Sequence, residues 1–302
     1  MRQKWLLRAG LGGLPLLIGA AVSLAEDRAP AAVAGDAASL KRWSAHDPAS
    51  PVRINYDPLD KLLTAYVVPE GNGRTLVPFA RLKGDGQRVL EAFVSRLEQV
   101  QVETLSRDEQ LAYWLNLRTL VLLHQTIDAF PVSRPQETFR GPNAVTANRV
   151  LTVSGEPLSV DDIDRIVLAN WSEPHVIYGL TLPVLGAPGL PRTAFRGSSV
   201  HHMLQEAGRD FINRAGVIRV KGDSAELSNF FTWHRAAFGN EAKLLEHIRS
   251  LAAPKLAGRL AGAATISQRF DWKLAAAFER SFDARDPTGT SVYEPSTAGS
   301  GS

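Results

Sequence analysis

The stretch LSRDEQLAYWLNLRTLVLLHQTIDAFP, residues 105–131, predicts a long helix at the centre of the fold. Ser106 with Glu109 three residues later is a capping-box pattern, which marks a helix N-terminus. Phe130-Pro131 ends the pattern, because proline cannot continue a helix. Apolar side chains cover most of the circumference in between, which a surface helix does not tolerate. We therefore expect helix 106–129 to be buried by the elements around it.

The polar residues of this helix argue against a membrane span. They interrupt the apolar run at Asn116, Arg118, Thr119 and His124. A segment of this length without such residues could cross a bilayer, but ionisable groups are costly in the hydrocarbon layer. A core helix is therefore the favoured interpretation.

The first 25 residues have the order of a secretory signal peptide. Three cationic residues precede an apolar run from Ala9 to Val22, and Ser23-Leu24-Ala25 is a small-x-small cleavage pattern. A retained membrane anchor is the alternative, but the apolar run is short for a span and contains helix breakers. We expect cleavage after Ala25, a periplasmic or secreted location, and no stable membrane span after cleavage.

The composition narrows the possible functions. The 302 residues are 44% hydrophobic, enough for a sizeable core, and include no cysteine. Disulfides, thiol nucleophiles and thiolate metal sites are therefore excluded. Residues 1–25 hold three Lys and Arg and no Asp or Glu, so the formal charge of +3 falls to zero when they are removed. A neutral chain with interspersed charges gives no basis for a nucleic-acid partner.

Outside the central stretch the periodicity predicts mainly helices. We expect them at 57–67, 84–103, 160–170, 198–213, 229–238 and 241–252, with Ser159, Ser228 and Asn240 as caps of the third, fifth and sixth. Strands are expected near 149–153, 175–182, 216–220, 225–227 and 265–270. The fold class is therefore α+β, a mainly helical single domain with a buried central helix and one small β-sheet, rather than a regular βαβ alternation.

Three further segments complete the domain plan. Residues 26–50 are rich in Ala, Asp and Pro and are predicted to be a flexible tether, with Trp43 as the residue able to dock on the domain. The globular domain is assigned to 51–284. The polar, Gly- and Ser-rich residues 285–302 are predicted to be a disordered tail.

Six blocks in a fixed order resemble the family known as domain of unknown function 547. They are AYWLN at 112–116, LSVDDID at 158–164, HVIYGLTL at 175–182, SSVHHMLQEAGRDFIN at 198–213, LSNFFTWHRAAF at 227–238 and FDWKL at 270–274. The resemblance covers about residues 50–275. It implies a domain found in secreted bacterial proteins and as a module of larger eukaryotic ones, and it implies no particular activity.

The chain departs from the family pattern at polar positions. Arg118-Thr119 stand where the family generally has Tyr-Asn. By the resemblance, a strand histidine, asparagine and cysteine of the family fall on Ile177, Thr181 and Leu182, and a second cysteine falls on Ala187. If the polar set of the family is an active site, this chain has lost its thiols and its histidine.

The candidate cleft consists of Asn116, Arg118, Thr119, His175, Thr181, Ser228 and Trp233. Asn116 and Thr119 share a helix face, and either line a cleft or tie the helix to a neighbouring loop. On a strand, His175 would share a face with Ile177 and could replace the family histidine, although it is displaced by roughly 6.6 Å. Ser228 is either a nucleophile or a helix cap, with Trp233 packed beside it.

No metal or cofactor is predicted. His201 and His202 are neighbours on a helix and diverge by about 100°, so they cannot converge on one metal. Asp161, Asp162 and Asp164 lie at a capped helix start, where the helix dipole favours carboxylates. The sequence has no phosphate-binding loop, zinc-hydrolase motif, nucleophile elbow or dinucleotide fingerprint.

Two hypotheses about function remain. One is a non-catalytic binding or interaction domain of the cell envelope, with an unknown envelope ligand or protein as its partner. The other is a hydrolase or transferase that uses an unrecognised Asn, Thr, Ser and His set; the missing thiols and strand histidine favour the first. An active site requires that Asn116, His175, Thr181 and Ser228 converge around a cavity. A non-catalytic domain is indicated if each of these side chains instead forms hydrogen bonds to backbone groups.

Overall fold

A computed structural model describes residues 40–263 and 265–277 of the chain. The expected signal peptide at 1–25 and tail at 285–302 lie outside these residues, as do 26–39 of the expected tether and 278–284 of the expected domain. The described chain is mainly helical with small sheets, so the α+β prediction is confirmed.

Helices supply most of the framework. The α-helices are α1 Asp57–Tyr66, α2 Phe79–Arg81, α3 Gln87–Glu98, α4 Arg107–Ala129, α5 Pro135–Arg140, α6 Val160–Asn170, α7 Val200–Asn213, α8 Asn229–Trp233, α9 Glu241–Leu251 and α10 Pro254–Ala261. A π-helical turn, Leu82–Gly86, joins α2 to α3, and short 3₁₀ turns occur at Arg42–Ser44, Val102–Thr104, Val145–Ala147, Pro174–Gly179 and Arg235–Phe238.

The central helix α4 is buried, as the sequence predicts. Every residue from Glu109 to Leu123 is buried, and the helix packs against α3, α6 and α7. Trp43 docks edge-to-face on Trp114, with ring centroids 5.1 Å apart. Within the described residues, no helix is both long and apolar enough to cross a bilayer.

The capping box expected at the start of α4 is not formed. Ser106 is the N-cap residue, but its side chain makes no capping hydrogen bond. The Glu109 carboxylate instead accepts the backbone N–H groups of Ile54 at 2.9 Å and Gly197 at 3.2 Å. Glu109 is 2% exposed, and these two N–H groups supply hydrogen bonds to its buried carboxylate, as a buried charge requires. The predicted capping box is therefore wrong, because the Glu109 carboxylate binds backbone N–H groups of distant segments.

The strands form three sheets rather than the single sheet predicted. β1 Val68–Gly71 and β2 Arg74–Leu76 form one hairpin, and β3 Leu151–Val153 and β4 Glu156–Leu158 form another. The third sheet has the order β5 Ile218–Lys221, β6 Ser224–Ser228, β7 Thr265–Arg269, with β7 parallel to β6. Each hairpin pairs strands that are neighbours in the sequence, and β7 is the strand that joins a sheet from a distant part of the chain.

The strand predicted at 175–182 is wrong. This segment is a 3₁₀ helix, Pro174–Gly179, followed by an irregular stretch. A Cβ atom at Gly179 would lie 2.7 Å from Leu115 Cδ2, so the segment is pressed closely onto the central helix. A short apolar run is compatible with either a buried strand or a buried helical turn, and Pro174 favours a helical start.

The predicted caps after α4 are present. Ser159 and Asp162 form a complete capping box at α6. Ser228 accepts from the N–H of Phe230, and Asn240 accepts from the N–H of Lys243. These side chains satisfy amides that the first turn of a helix leaves unpaired.

Replacing Leu120 with alanine should destabilise the fold strongly. Leu120 is fully buried in α4, so Leu120→Ala removes buried surface and leaves a cavity, at a cost of about 2–5 kcal/mol in the free energy of unfolding. Urea unfolding of the two proteins measures the difference. Val89→Ala in α3 is the control, because Val89 is 50% exposed and should change stability by less than about 0.5 kcal/mol. Equal effects of the two substitutions would contradict a core built on α4.

Candidate functional site

A buried ion pair lies at the middle of the central helix. Arg118 is 1% exposed and donates through Nε and Nη2 to both carboxylate oxygens of Asp164, with Nη2 and Oδ2 3.1 Å apart. Its Nη1 donates to the backbone carbonyl of Thr181 at 2.6 Å. The guanidinium therefore joins α4, α6 and the irregular stretch after the 3₁₀ turn. Two parallel bonds to one carboxylate fix the geometry as well as the charge.

His234 lies in the electrostatic field of this ion pair. Burial is the main cause that lowers the pKa of His234 to about 3. The negative charge of Asp164 acts in the opposite direction, and the positive charges of Arg140 and Arg118 act in the same direction as burial. The imidazole packs on Phe230, with ring centroids 4.6 Å apart, and its Nδ1 has no hydrogen-bond partner. A neutral buried histidine results. Nothing in the sequence pattern connects His234 with Arg118, which lies more than a hundred positions away.

Asp164 differs from the role that the sequence suggested for it. Asp162 is a helix-capping residue as expected, but Asp164 points into the core and pairs with Arg118. Burial, followed by the charge of Asp164, raises the pKa of Asp161. Across the described residues, no three His, Asp or Glu side chains are grouped so that they could hold a metal ion.

The amide of Asn116 is bonded on both sides to one backbone unit. Its Nδ2 donates to the carbonyl of Phe195 at 2.8 Å, and its Oδ1 accepts the N–H of Phe195 at 2.9 Å. Thr119 donates back to the carbonyl of Leu115 in its own helix at 2.8 Å. Of the two interpretations offered for this helix face, the tie to a neighbouring loop describes what Asn116 does.

Ser228 and Trp233 are also held by local structure. The hydroxyl of Ser228 donates to the carbonyl of Gly186 at 2.9 Å and accepts from the N–H of Phe230 at 3.2 Å. Trp233 packs against Phe270 and Trp272, at ring-centroid distances of 4.5 and 5.5 Å. The guanidinium of Arg140 lies 5.1 Å from the Trp233 ring centroid.

His175 belongs to a separate histidine cluster. Its Nε2 lies 3.2 Å from Nδ1 of His201, whose Nε2 lies 3.2 Å from Oδ1 of Asp108. Burial and the neighbouring His201 lower the pKa of His175. Nearby, Nε2 of His247 lies 2.9 Å from the Tyr178 hydroxyl, and burial lowers the pKa of His247 to about 4. The prediction that His175 shares a strand face with Ile177 is wrong, because this segment is a 3₁₀ helix and not a strand.

The candidate cleft residues are thus placed in different surroundings. Arg118 bonds the carbonyl of Thr181, whereas Asn116 and Ser228 bond other backbone groups. The Thr181 hydroxyl is buried and has no hydrogen-bond partner. A role for these residues in a cleft stays a prediction.

An open groove of about 440 Å³ lies between the β1–β2 hairpin, the loop at 189–195 and α7. Tyr178, Leu190 and Phe195 are its buried walls, and the rim carries Arg74, Arg192, Glu206 and Asp210. No sequence pattern predicts this groove, because its walls come from three distant segments. The hairpin has a signal, Asn72-Gly73, whose positive φ angles suit a two-residue turn between paired strands.

The buried helix, its ion pair and the three small sheets define a class of protein, the mainly helical α+β domains built around one central helix. Residues 102–212 match a family model described as "Protein of unknown function, DUF547". The match covers this segment of the chain, and over residues 102–212 the resemblance seen in the sequence is confirmed. No curated protein and no solved structure matched the chain.

Asn116 should be needed for stability rather than for chemistry. In Asn116→Ala both backbone groups of Phe195 lose their partner, and a buried unsatisfied group costs about 1–3 kcal/mol. Asn116→Asp keeps the bond from the Phe195 N–H but places a carboxylate oxygen against the Phe195 carbonyl, so it should also destabilise. Urea unfolding measures both. A variant at Asn116 with wild-type stability would contradict this assignment.

The pKa of His234 predicts an acid-sensitive stability. Its pKa in the fold, about 3, lies below the ordinary value of 6.5, so the unfolded chain binds the proton more readily. The contribution is complete above pH 6.5 and falls between 6.5 and 3, by at most about 1.4 kcal/mol per pH unit. His234→Asn should flatten the pH dependence of the unfolding free energy in this range.

The control for this measurement is His202→Asn, because His202 is exposed. It should keep the wild-type pH dependence. His247 contributes with the same sign as His234, whereas Asp161 and Asp210, whose pKa values are raised by burial, act in the opposite direction. An unchanged slope in His234→Asn would contradict a neutral buried imidazole.

Proposed function

We propose that this chain is an exported binding domain of the cell envelope rather than an enzyme, and that its ligand occupies the groove between the hairpin and α7. One observation carries the non-catalytic part: Asn116, Arg118 and Ser228 of the candidate cleft are each bonded to backbone groups of the fold. Nucleophilic catalysis needs a hydroxyl or thiol with a base in reach. The Ser228 hydroxyl is instead bonded to the Gly186 carbonyl and the Phe230 N–H.

The groove supports the binding part of the proposal. Its volume of about 440 Å³ lies in the range of small-molecule sites, which combine apolar walls with a few polar groups. Arg74 and Arg192 come from the hairpin and the 189–195 loop, whereas Glu206 and Asp210 come from α7. An amphipathic ligand with an apolar body and charges of both signs, such as a short peptide, matches this arrangement.

A second candidate function rests on the histidine cluster. His201 lies between Asp108 and His175, which is the arrangement of a base and the carboxylate that orients it. With Asp108 accepting from Nε2–H of His201, the Nδ1 lone pair accepts from Nε2–H of His175. A hydrolase or transferase would use these imidazoles as its base.

Export is part of the proposal and rests on the order of charged, apolar and small residues in 1–25. Expression of the full chain in a bacterial host, followed by intact-mass measurement of the periplasmic fraction, should give a species that starts at Glu26. A membrane-bound species that keeps Met1 would contradict it.

The ligand site is tested with the chain from residue 26 to 302. A library of short peptides is screened by calorimetry, and Ala207→Trp should abolish binding because Ala207 lines the groove. Ala236→Trp is the matched control, since Ala236 is exposed and lies in a 3₁₀ turn outside the lining. Equal binding by the two variants would contradict the groove as the site.

The catalytic alternative is tested on the same protein with generic ester, amide and glycoside substrates. Turnover that disappears in both His175→Ala and His201→Ala, with circular dichroism unchanged, would overturn the non-catalytic proposal. The expected result is no turnover above the rate of the buffer alone.

A further inference from the structure

A small cationic pocket lies next to the groove, on the other side of Arg74. Its volume is about 160 Å³, and the residues that line it include Arg74, Arg219 and Arg269, with Asp271 and Gly216. The three arginines come from β2, β5 and β7, so they reach the pocket from three separate strands. Ser228, one of the candidate cleft residues, lies at the same wall.

The arginines of this pocket are paired loosely with carboxylates, and Asp271 at the same pocket forms no ion pair among the described residues. One oxygen of Glu226 lies 3.8 Å from Nη1 of Arg219 and 3.4 Å from Nε of Arg269, so a single carboxylate serves two guanidinium groups. Arg74 pairs with Glu70 through Nη1 at 2.9 Å, but its Nε is buried and has no hydrogen-bond partner. That N–H donor is unsatisfied, which is costly in a buried position.

A fourth arginine adds to the positive charge. Arg214 is 4% exposed and donates to the backbone carbonyls of Leu185 and Ala187. Burial and, after it, the nearby charge of Arg74 lower its pKa to about 10, against the effects of Asp210 and Asp271. Among the described residues no carboxylate lies within ion-pair distance of Arg214.

We propose that this pocket binds a phosphate group, as inorganic phosphate or as the phosphate of a monoester. Arginine is the side chain suited to this ligand, because its fixed fork of N–H donors matches the oxygens of a phosphate. The phosphate of a monoester presents three terminal oxygens and inorganic phosphate presents four, so either can accept hydrogen bonds from three arginines that arrive from three strands. A planar carboxylate presents only two.

The size of the pocket agrees with this ligand. A water molecule occupies roughly 30 Å³ of liquid, so a pocket of about 160 Å³ has room for a phosphate group. The Arg219 side chain is 59% exposed, so the pocket is open on that side and the substituent of a monoester can extend into solvent there.

This inference goes beyond the proposed function, because a phosphate can bind here whether or not the groove holds a peptide. Arg74 lines both the groove and the pocket. The pocket, but not the groove, is also lined by Arg219, Arg269 and Ala215. Substitutions at these three residues therefore test the phosphate site and leave the groove unchanged.

Calorimetric titration of residues 26–302 at low ionic strength tests the proposal, with inorganic phosphate, phenyl phosphate and acetate as probes. Arg219→Gln should weaken phosphate binding at least about tenfold, because it removes a hydrogen bond between charged groups. Arg134→Gln is the matched control, since Arg134 is an exposed arginine of a surface ion pair with Glu137 and lies elsewhere. It should bind phosphate as the wild type does.

A second variant separates charge from folding. Ala215 is exposed and lines the pocket, so Ala215→Glu keeps every arginine, adds a negative charge and should abolish phosphate binding with circular dichroism unchanged. Tighter binding of phenyl phosphate than of phosphate would identify a monoester as the ligand, and equal binding would identify free phosphate. Absence of phosphate binding, equal loss in Arg134→Gln, or acetate binding as tight as phosphate would overturn the proposal.

Discussion

The ion pair between Arg118 and Asp164 is the constraint on which the centre of the fold depends. A charged side chain in the middle of a helix that is buried on all sides needs both a counter-ion and acceptors for its remaining N–H groups. Asp164 from α6 supplies the first, and the Thr181 carbonyl supplies the second. Removing one partner of such a pair leaves an uncompensated buried charge, so the position of α6 and of the stretch around Thr181 follows from Arg118.

The central helix α4 also binds the loop that contains Phe195 and Gly197, through two polar side chains that lie two helical turns apart. Glu109 accepts the N–H of Gly197, and Asn116 binds both backbone groups of Phe195. Seven residues of helix bring two side chains back to nearly the same face, so both can reach one loop. The AYWLN block therefore has a structural role. It joins the central helix to the loop that also forms one wall of the groove, which connects the family-like sequence to the proposed ligand site.

The sequence predicted what depends on local pattern and missed what depends on tertiary pairing. The buried helix α4, the caps at Ser159, Ser228 and Asn240, and the β5–β6 hairpin follow from periodicity and side-chain chemistry. The carboxylate of Glu109 and the segment 174–179 differ from prediction, because their partners are far away in the chain. The charge of Arg118 was visible, but nothing in the sequence showed that Asp164, two residues after a capping aspartate, would be its counter-ion. The groove and the cationic pocket combine residues more than a hundred positions apart, which no single sequence window contains.

The parallel pairing of β6 with β7 has a consequence for how this protein folds. The connection from Ser228 at the end of β6 to Thr265 at the start of β7 contains three α-helices. β7 can therefore pair with β6 only after this long connection has closed. Non-local contacts of this kind form late, because the chain loses entropy before the contact stabilises it. Interactions made by β7 are thus expected to be absent from the folding transition state. They would act mainly on the rate at which the native protein unfolds, so the lifetime of the folded state would be set at the edge of this sheet and not at its core helix.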